Sequence, residues 1–116
     1  MYGVNTIRYS SITKPEDFAT TRRNGLVFKN QFVVIFINKN NSQMTQIGLS
    51  VSKRIGNAVN RNKVKRRLRS ISSLINIVAG VDILIVARLK ASIATYRELS
   101  DSILNLMKKA SILENI

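Results

Sequence analysis

The residues best suited to chemistry in this chain are cations. Eight of its 19 Lys and Arg residues fall in one stretch, at Lys53, Arg54, Arg61, Lys63, Lys65, Arg66, Arg67 and Arg69. Arginine offers a planar fork that grips a phosphate through two hydrogen bonds, and lysine acts as a point charge. Asn57, Asn60 and Asn62 are interleaved as amide donors and acceptors for sugar hydroxyls or bases. Asp and Glu are absent between Asp17 and Asp82, a span that carries twelve Lys or Arg. The rest of the chain has seven basic and six acidic residues, so +12 of the net +13 charge is concentrated in the middle. Such repulsion costs stability that a polyanion relieves, and the default polyanion is nucleic acid.

Covalent and metal chemistry is poorly provided for. There is no Cys and no His, which removes thiolate nucleophiles, disulfides and the commonest general base and metal ligand. The six carboxylates (Glu16, Asp17, Asp82, Glu98, Asp101 and Glu114) are scattered, whereas a metal-dependent nuclease needs convergent ones. Adjacent Glu16 and Asp17 suit the positive end of a helix dipole. Ser50 and Ser52 have no base partner, and Gly48 and Gly56 stand outside any phosphate-loop fingerprint. A reaction served by this protein must take its reacting groups from something else.

At 116 residues, 45% hydrophobic, with one Pro and five Gly, the chain is expected to be a single RNA-binding domain spanning residues 1–116. Residues 1–12 are expected to form an arm, and residues 111–116 to fray. The longest apolar runs, Phe32 to Ile37 and Ile83 to Ala87, fall far short of the ~20 residues of a membrane span. Met1 to Asn5 lacks the apolar core of a secretory signal, so a cytoplasmic location with no membrane is expected.

The elements that must position the cations follow from pattern. Thr13 and Glu16 form a capping box with Pro15 between them, and this helix ends at Gly25, with Phe18 to pack it on the core. Leu26 to Asn38 is strand material, broken near Lys29-Asn30. Met44 to Ser52 is the next strand. Its alternation puts Ile47, Leu49 and Val51 on one face and Gly48, Ser50 and Ser52 on the other. Asn57 is placed to cap a long helix with Val64, Leu68, Ile71 and Ile75 in a stripe ~60° wide and Val78 on its edge. Opposite lie Asn62, Arg66 and Arg69, with Lys63 and Lys65 on the flanks and Arg61 and Arg67 on the shoulders. Gly80 is expected to stop this helix. Val81 to Ala87 is a buried strand, making a βαβ unit with a parallel pair. Thr95 and Glu98 box the start of a last helix, its core side Leu99, Ile103, Leu106 and Ala110. The fold class is therefore α+β: a two-layer sandwich in the order α-β-β-β-α-β-α, with helices packed on a four-stranded sheet.

Leu49 to Val59, followed by Arg61-Asn62-Lys63-Val64-Lys65-Arg66, closely resembles the signature of the bacterial ribonuclease P protein subunit. Lys14 to Phe18 before Gly25, the strand from Phe32 to Phe36, and Ile83 to Arg88 resemble the same family in the same order. The resemblance implies a left-handed βαβ crossover, although right-handed is the default. It also implies a role in removing the 5′ leader of precursor tRNA. The catalyst would be an RNA subunit, and Mg²⁺ would be held mainly by RNA and substrate. Lys53, Arg54, Asn57, Arg61, Asn62, Lys63, Lys65, Arg66 and Arg69 would contact that catalytic RNA. A cleft between the first helix and the sheet, with Phe18, Phe36, Ser50, Ser52, Lys14 and Arg22, would hold the single-stranded leader. Ribonuclease P RNA and precursor tRNA are the implied partners, with no obligate protein partner. Two departures stand out: Lys63 replaces an arginine of the family pattern, and Arg22 replaces an aromatic. The competing class is a basic ribosomal or RNA-chaperone protein with no part in cleavage.

Overall fold

The computed structural model describes residues 9–12 and 14–114. Residues 1–8 of the expected arm, the capping residue Thr13 and residues 115–116 lie outside them. Strand β1 (Ser10–Ser11) is followed by helix α1 (Pro15–Asn24), β2 (Leu26–Lys29), β3 (Val33–Lys39) and β4 (Gln46–Ser50). Helix α2 (Ala58–Leu74), β5 (Val81–Ala87) and α3 (Tyr96–Lys109) complete the order, with short 3-10 turns at Lys53–Ile55 and Leu89–Ser92.

The sheet has five strands in the order β1-β4-β5-β3-β2, one more than the pattern foretells. The addition is β1, which runs parallel to β4 with Ser10 opposite Gln46 and Ser11 opposite Ile47. A two-residue strand has no period to read. It exists because Ser10 N–H donates to Thr45 O and Ile12 N–H to Ile47 O, both at 3.1 Å, while Ile12 is buried. Strands β4 and β5 are the expected parallel pair, with α2 between them in sequence. The break between β2 and β3 is made by Asn30, whose Oδ1 accepts from Phe32 N and Val33 N while its Nδ2 donates to Ser102 O.

The core lies between one face of the sheet and the α2/α3 layer. Val33, Ile35 and Ile37 of β3 and Ile83, Ile85 and Ala87 of β5 point into it, meeting Val64, Leu68 and Ile71 of α2 and Leu99, Ile103 and Met107 of α3. Burying each such side chain contributes about 1.5–3 kcal/mol, so this layer fixes where α2 must sit. Met107 is fully buried, and Ala110, expected in the core, is half-buried at the helix end. The capping box of α3 is complete, Thr95 Oγ1 accepting from Glu98 N and Glu98 Oε1 from Thr95 N. Helix α1 lies against the other face of the sheet, over Gly48 and buried Leu84.

Several boundaries differ from the pattern. Helix α1 has Lys14 in extended conformation at its N-cap with no side-chain bond of its own, followed by Pro15 and an acidic first turn; the expected box rests on Thr13, which lies outside the described residues. Helix α2 ends at Leu74, not Gly80, because Ile75 turns extended to bury its side chain. Tyr9 secures that end, its hydroxyl donating to Ile75 O and accepting from Ile77 N. Gly80 instead serves the turn into β5: its φ is +82°, and a Cβ there would stand 2.7 Å from Ser42 O. The chain after Ser111 is not frayed as far as it is described. Ile112 is buried, Leu113 bridges Ile77, and Val78 N–H donates to Ile112 O at 2.8 Å.

Candidate nucleic-acid interface

Helix α2 begins where Gly56, at φ +151°, closes the 3-10 turn and Asn57 Oδ1 accepts from Asn60 N at 3.0 Å. That bond fixes the Asn57 side chain as a cap and leaves its Nδ2 group to meet a ligand. Beyond the cap, Val64, Leu68 and Ile71 are buried while Asn62, Lys63, Lys65, Arg66 and Arg69 are exposed. Arg61 and Arg67 are half-buried on the shoulders, as the helical period predicts. Lys53 and Arg54 are exposed on the preceding turn, which buried Ile55 pins to the core. Six exposed cations and Asn62 thus lie on α2 and the short turn that leads into it. Among the described residues the ion pair is Arg97 with Asp101 at 4.0 Å, on α3, so no cation of this surface has a carboxylate partner.

The two shoulders differ. Arg67 Nη1 donates to Ala94 O at 2.9 Å and ties α2 to the loop before α3. Arg61 has its Nε buried with no hydrogen-bond partner. Its position on the edge of the cationic face remains compatible with the expected role.

The second surface is the sheet face beneath α1. Pairing register places Gly48, Leu84, Phe36 and Val27 in one row across β4, β5, β3 and β2, and Ser50, Val86, Val34 and Lys29 in the next. Phe18 lies on the first row: a Cβ at Gly48 would meet its ring at 2.9 Å, so glycine is what allows the close approach. Arg22, in the last turn of α1, holds its guanidinium 5.5 Å from the centre of the Phe36 ring. Phe18, Arg22, Phe36 and Ser50 are therefore brought to one face. Ser52 is exposed past the end of β4, where the chain enters the 3-10 turn, and so lies outside the paired rows. Lys14 is exposed at the opposite end of α1 from Arg22, about 12 Å away along the helix. Val34, Val86 and Lys29 belong to this face and were not singled out from sequence, because only the strand register reveals them.

The two surfaces meet around the β1–β4 edge. A cavity of about 460 Å³ there is lined by Ile12, Phe18, Gly48, Lys65, Arg69 and Ser72, among others. Among the described residues no group of three or more His, Cys, Asp or Glu could hold a metal ion. Asp82, the carboxylate within the sheet, is taken up by Asn40 Nδ2 at 2.8 Å. The described residues thus offer no carboxylate cluster of the kind that holds a resident Mg²⁺.

A basic helix face beside a half-covered sheet face, with no cluster of metal-ligating side chains among the described residues, defines an α+β protein whose main functional surface is cationic. The family model for Ribonuclease P matches residues 8–111. The ribonuclease P protein component of Clostridioides difficile is 36% identical over 108 residues, covering 90% of this chain and 95% of the relative. That of Clostridium botulinum strain Langeland is 32% identical over 109 residues, covering 91% and 98%. Among solved structures, the Staphylococcus aureus ribonuclease P protein superposes with a TM-score of 0.82 at 32% identity, over 90% of this chain and 97% of that one. The Thermotoga maritima protein gives 0.75 at 26% identity, over 91% and 99%. The chain belongs to the ribonuclease P protein component family. It is thus a subunit of a tRNA-processing ribonuclease that works as a ribonucleoprotein.

Proposed function

We propose that this chain binds the catalytic RNA of ribonuclease P through α2 and the 5′ leader of precursor tRNA through the cleft under α1. The RNA, with Mg²⁺, hydrolyses the phosphodiester that yields the mature 5′ end, and the protein alone is inactive. Lys53, Arg54, Asn57, Arg61, Asn62, Lys63, Lys65, Arg66 and Arg69 hold the catalytic RNA; Phe18, Arg22, Phe36 and Ser50 hold the leader. The observation that carries this reading is a helix anchored by its apolar stripe whose exposed cations have no protein carboxylate to pair with. Phosphates supply the missing anions, and binding releases their counterions.

Reconstitution with a ribonuclease P RNA and a precursor tRNA tests it. Arg66→Ala and Arg61→Ala each weaken assembly with the RNA, and Arg66→Ala, on the exposed face, flattens the salt dependence, log K against log salt, by roughly 1 unit of slope. Wild-type protein without RNA leaves the precursor intact. Unchanged affinity in both variants would remove α2 from the interface, and cleavage by protein alone would overturn the division of labour.

A further inference from the structure

Phe36 stands on the cleft floor between two cations. On one side is Arg22, whose guanidinium lies over the ring at 5.5 Å. On the other is Lys29, which the β2–β3 register makes the diagonal neighbour of Phe36: Val27 is paired with Phe36 and Lys29 with Val34, and both odd-numbered β2 residues point to the α1 side. Phe28 between them packs toward the core, which fixes that alternation. Arg22 and Lys29 are both exposed, and neither has a carboxylate partner among the described residues. Glu16 and Asp17 sit at the far end of α1, and Asp82 lies in the row beyond Phe36, bound to Asn40.

A guanidinium parked on the ring already occupies the surface on which a base would stack. Its donors remain free along the rim, because a cation–π contact uses the plane of the group and not its N–H edges. Lys29, the diagonal neighbour, adds an ammonium on the same side of the sheet. We infer that Arg22 and Lys29 clamp a backbone phosphate of the leader over Phe36, so that this part of the cleft reads the presence of a leader and not the identity of its base. The inference rests on the cleft being the leader site and specifies what one end of it recognises.

Single methylphosphonate linkages, which remove one phosphate charge, can be walked along the leader of a precursor tRNA. Binding is then measured to holoenzyme made with wild-type, Arg22→Gln, Lys29→Gln or doubly substituted protein. One linkage is expected to cost wild type about 2- to 5-fold in affinity, to cost Arg22→Gln and Lys29→Gln each less, and to cost the doubly substituted protein nothing further, as the parts of one contact must. An abasic nucleotide at that step costs wild type less than 2-fold, whereas in Arg22→Phe, where the ring face is given back to stacking, the same abasic step costs about 5-fold or more. Both substituted residues are exposed, so denaturation midpoints should stay at the wild-type value. If every linkage costs wild type and Arg22→Gln equally, the clamp does not exist. If a leader adds no affinity to wild-type holoenzyme, the failure lies with the leader site itself.

Discussion

Arg66 and Arg67 are neighbours in sequence with opposite duties, and the difference is where each falls on the helical wheel. Arg66 projects to solvent on the cationic face, while Arg67 is half-buried and spends one of its donors on Ala94 O. Arg66→Ala should therefore leave stability within about 0.5 kcal/mol of wild type and lower RNA affinity. Arg67→Ala should do the reverse. It removes a hydrogen bond from a charged donor and the stem packing around it, so about 1–2 kcal/mol of stability goes, while affinity per folded molecule holds. Urea denaturation and an RNA filter-binding titration on the two variants separate these outcomes, and a matching pattern in both would show that the wheel does not partition them. Sequence alone put Arg67 on the shoulder; which shoulder residue was structural depended on the Ala94 carbonyl, twenty-seven positions away.

At the scale of elements, what could be read in advance is what local chemistry decides. Asn57 as cap, the Val64–Leu68–Ile71 stripe, the Thr95–Glu98 box and the apolar β5 all follow from side chains within a turn of one another, and all are present. The misread boundaries depend on distant partners. Strand β1 needs Thr45 and Ile47; the end of α2 needs Tyr9; the ordered Ile112 and Leu113 need Ile77 and Val78. The candidate site divides the same way. Its cationic half is legible because α2 and the short turn leading into it carry all of it, whereas the cleft is assembled from four strands and α1, so Lys29, Val34 and Val86 come only with the register. One element-level ambiguity is testable. Asn57 caps α2 with Oδ1 and holds out its Nδ2, so Asn57→Ala should cost about 1 kcal/mol of stability and some RNA affinity, while Asn57→Ser restores the cap without the amide. Stability recovered with affinity still reduced would establish an amide contact to RNA; recovery of both would make Asn57 a cap and nothing more.

For the molecule as a whole, the apolar and ionic parts of the design respond to salt in opposite directions. The core between the sheet and the α2/α3 layer is uncharged, so its burial is nearly indifferent to moderate ionic strength. The +13 charge is not indifferent, since α2 carries cations at three- and four-residue spacings whose mutual repulsion opposes folding of the free protein. With a Debye length near 10 Å at 0.1 M, raising salt screens that repulsion and should raise the denaturation midpoint. The same change should weaken RNA binding. If each of the six exposed cations from Lys53 to Arg69 neutralises one phosphate, log K falls with a slope of about −4 to −5 against log salt. Between 50 and 200 mM that is a loss of roughly 10²- to 10³-fold in affinity. Opposite signs in denaturation and binding, measured over one salt series, are the expectation of a fold whose charge is held for a partner. A fold that loosened along with its complex would mean the cations are satisfied within the protein, and the helix face would have to give up its role as the RNA surface.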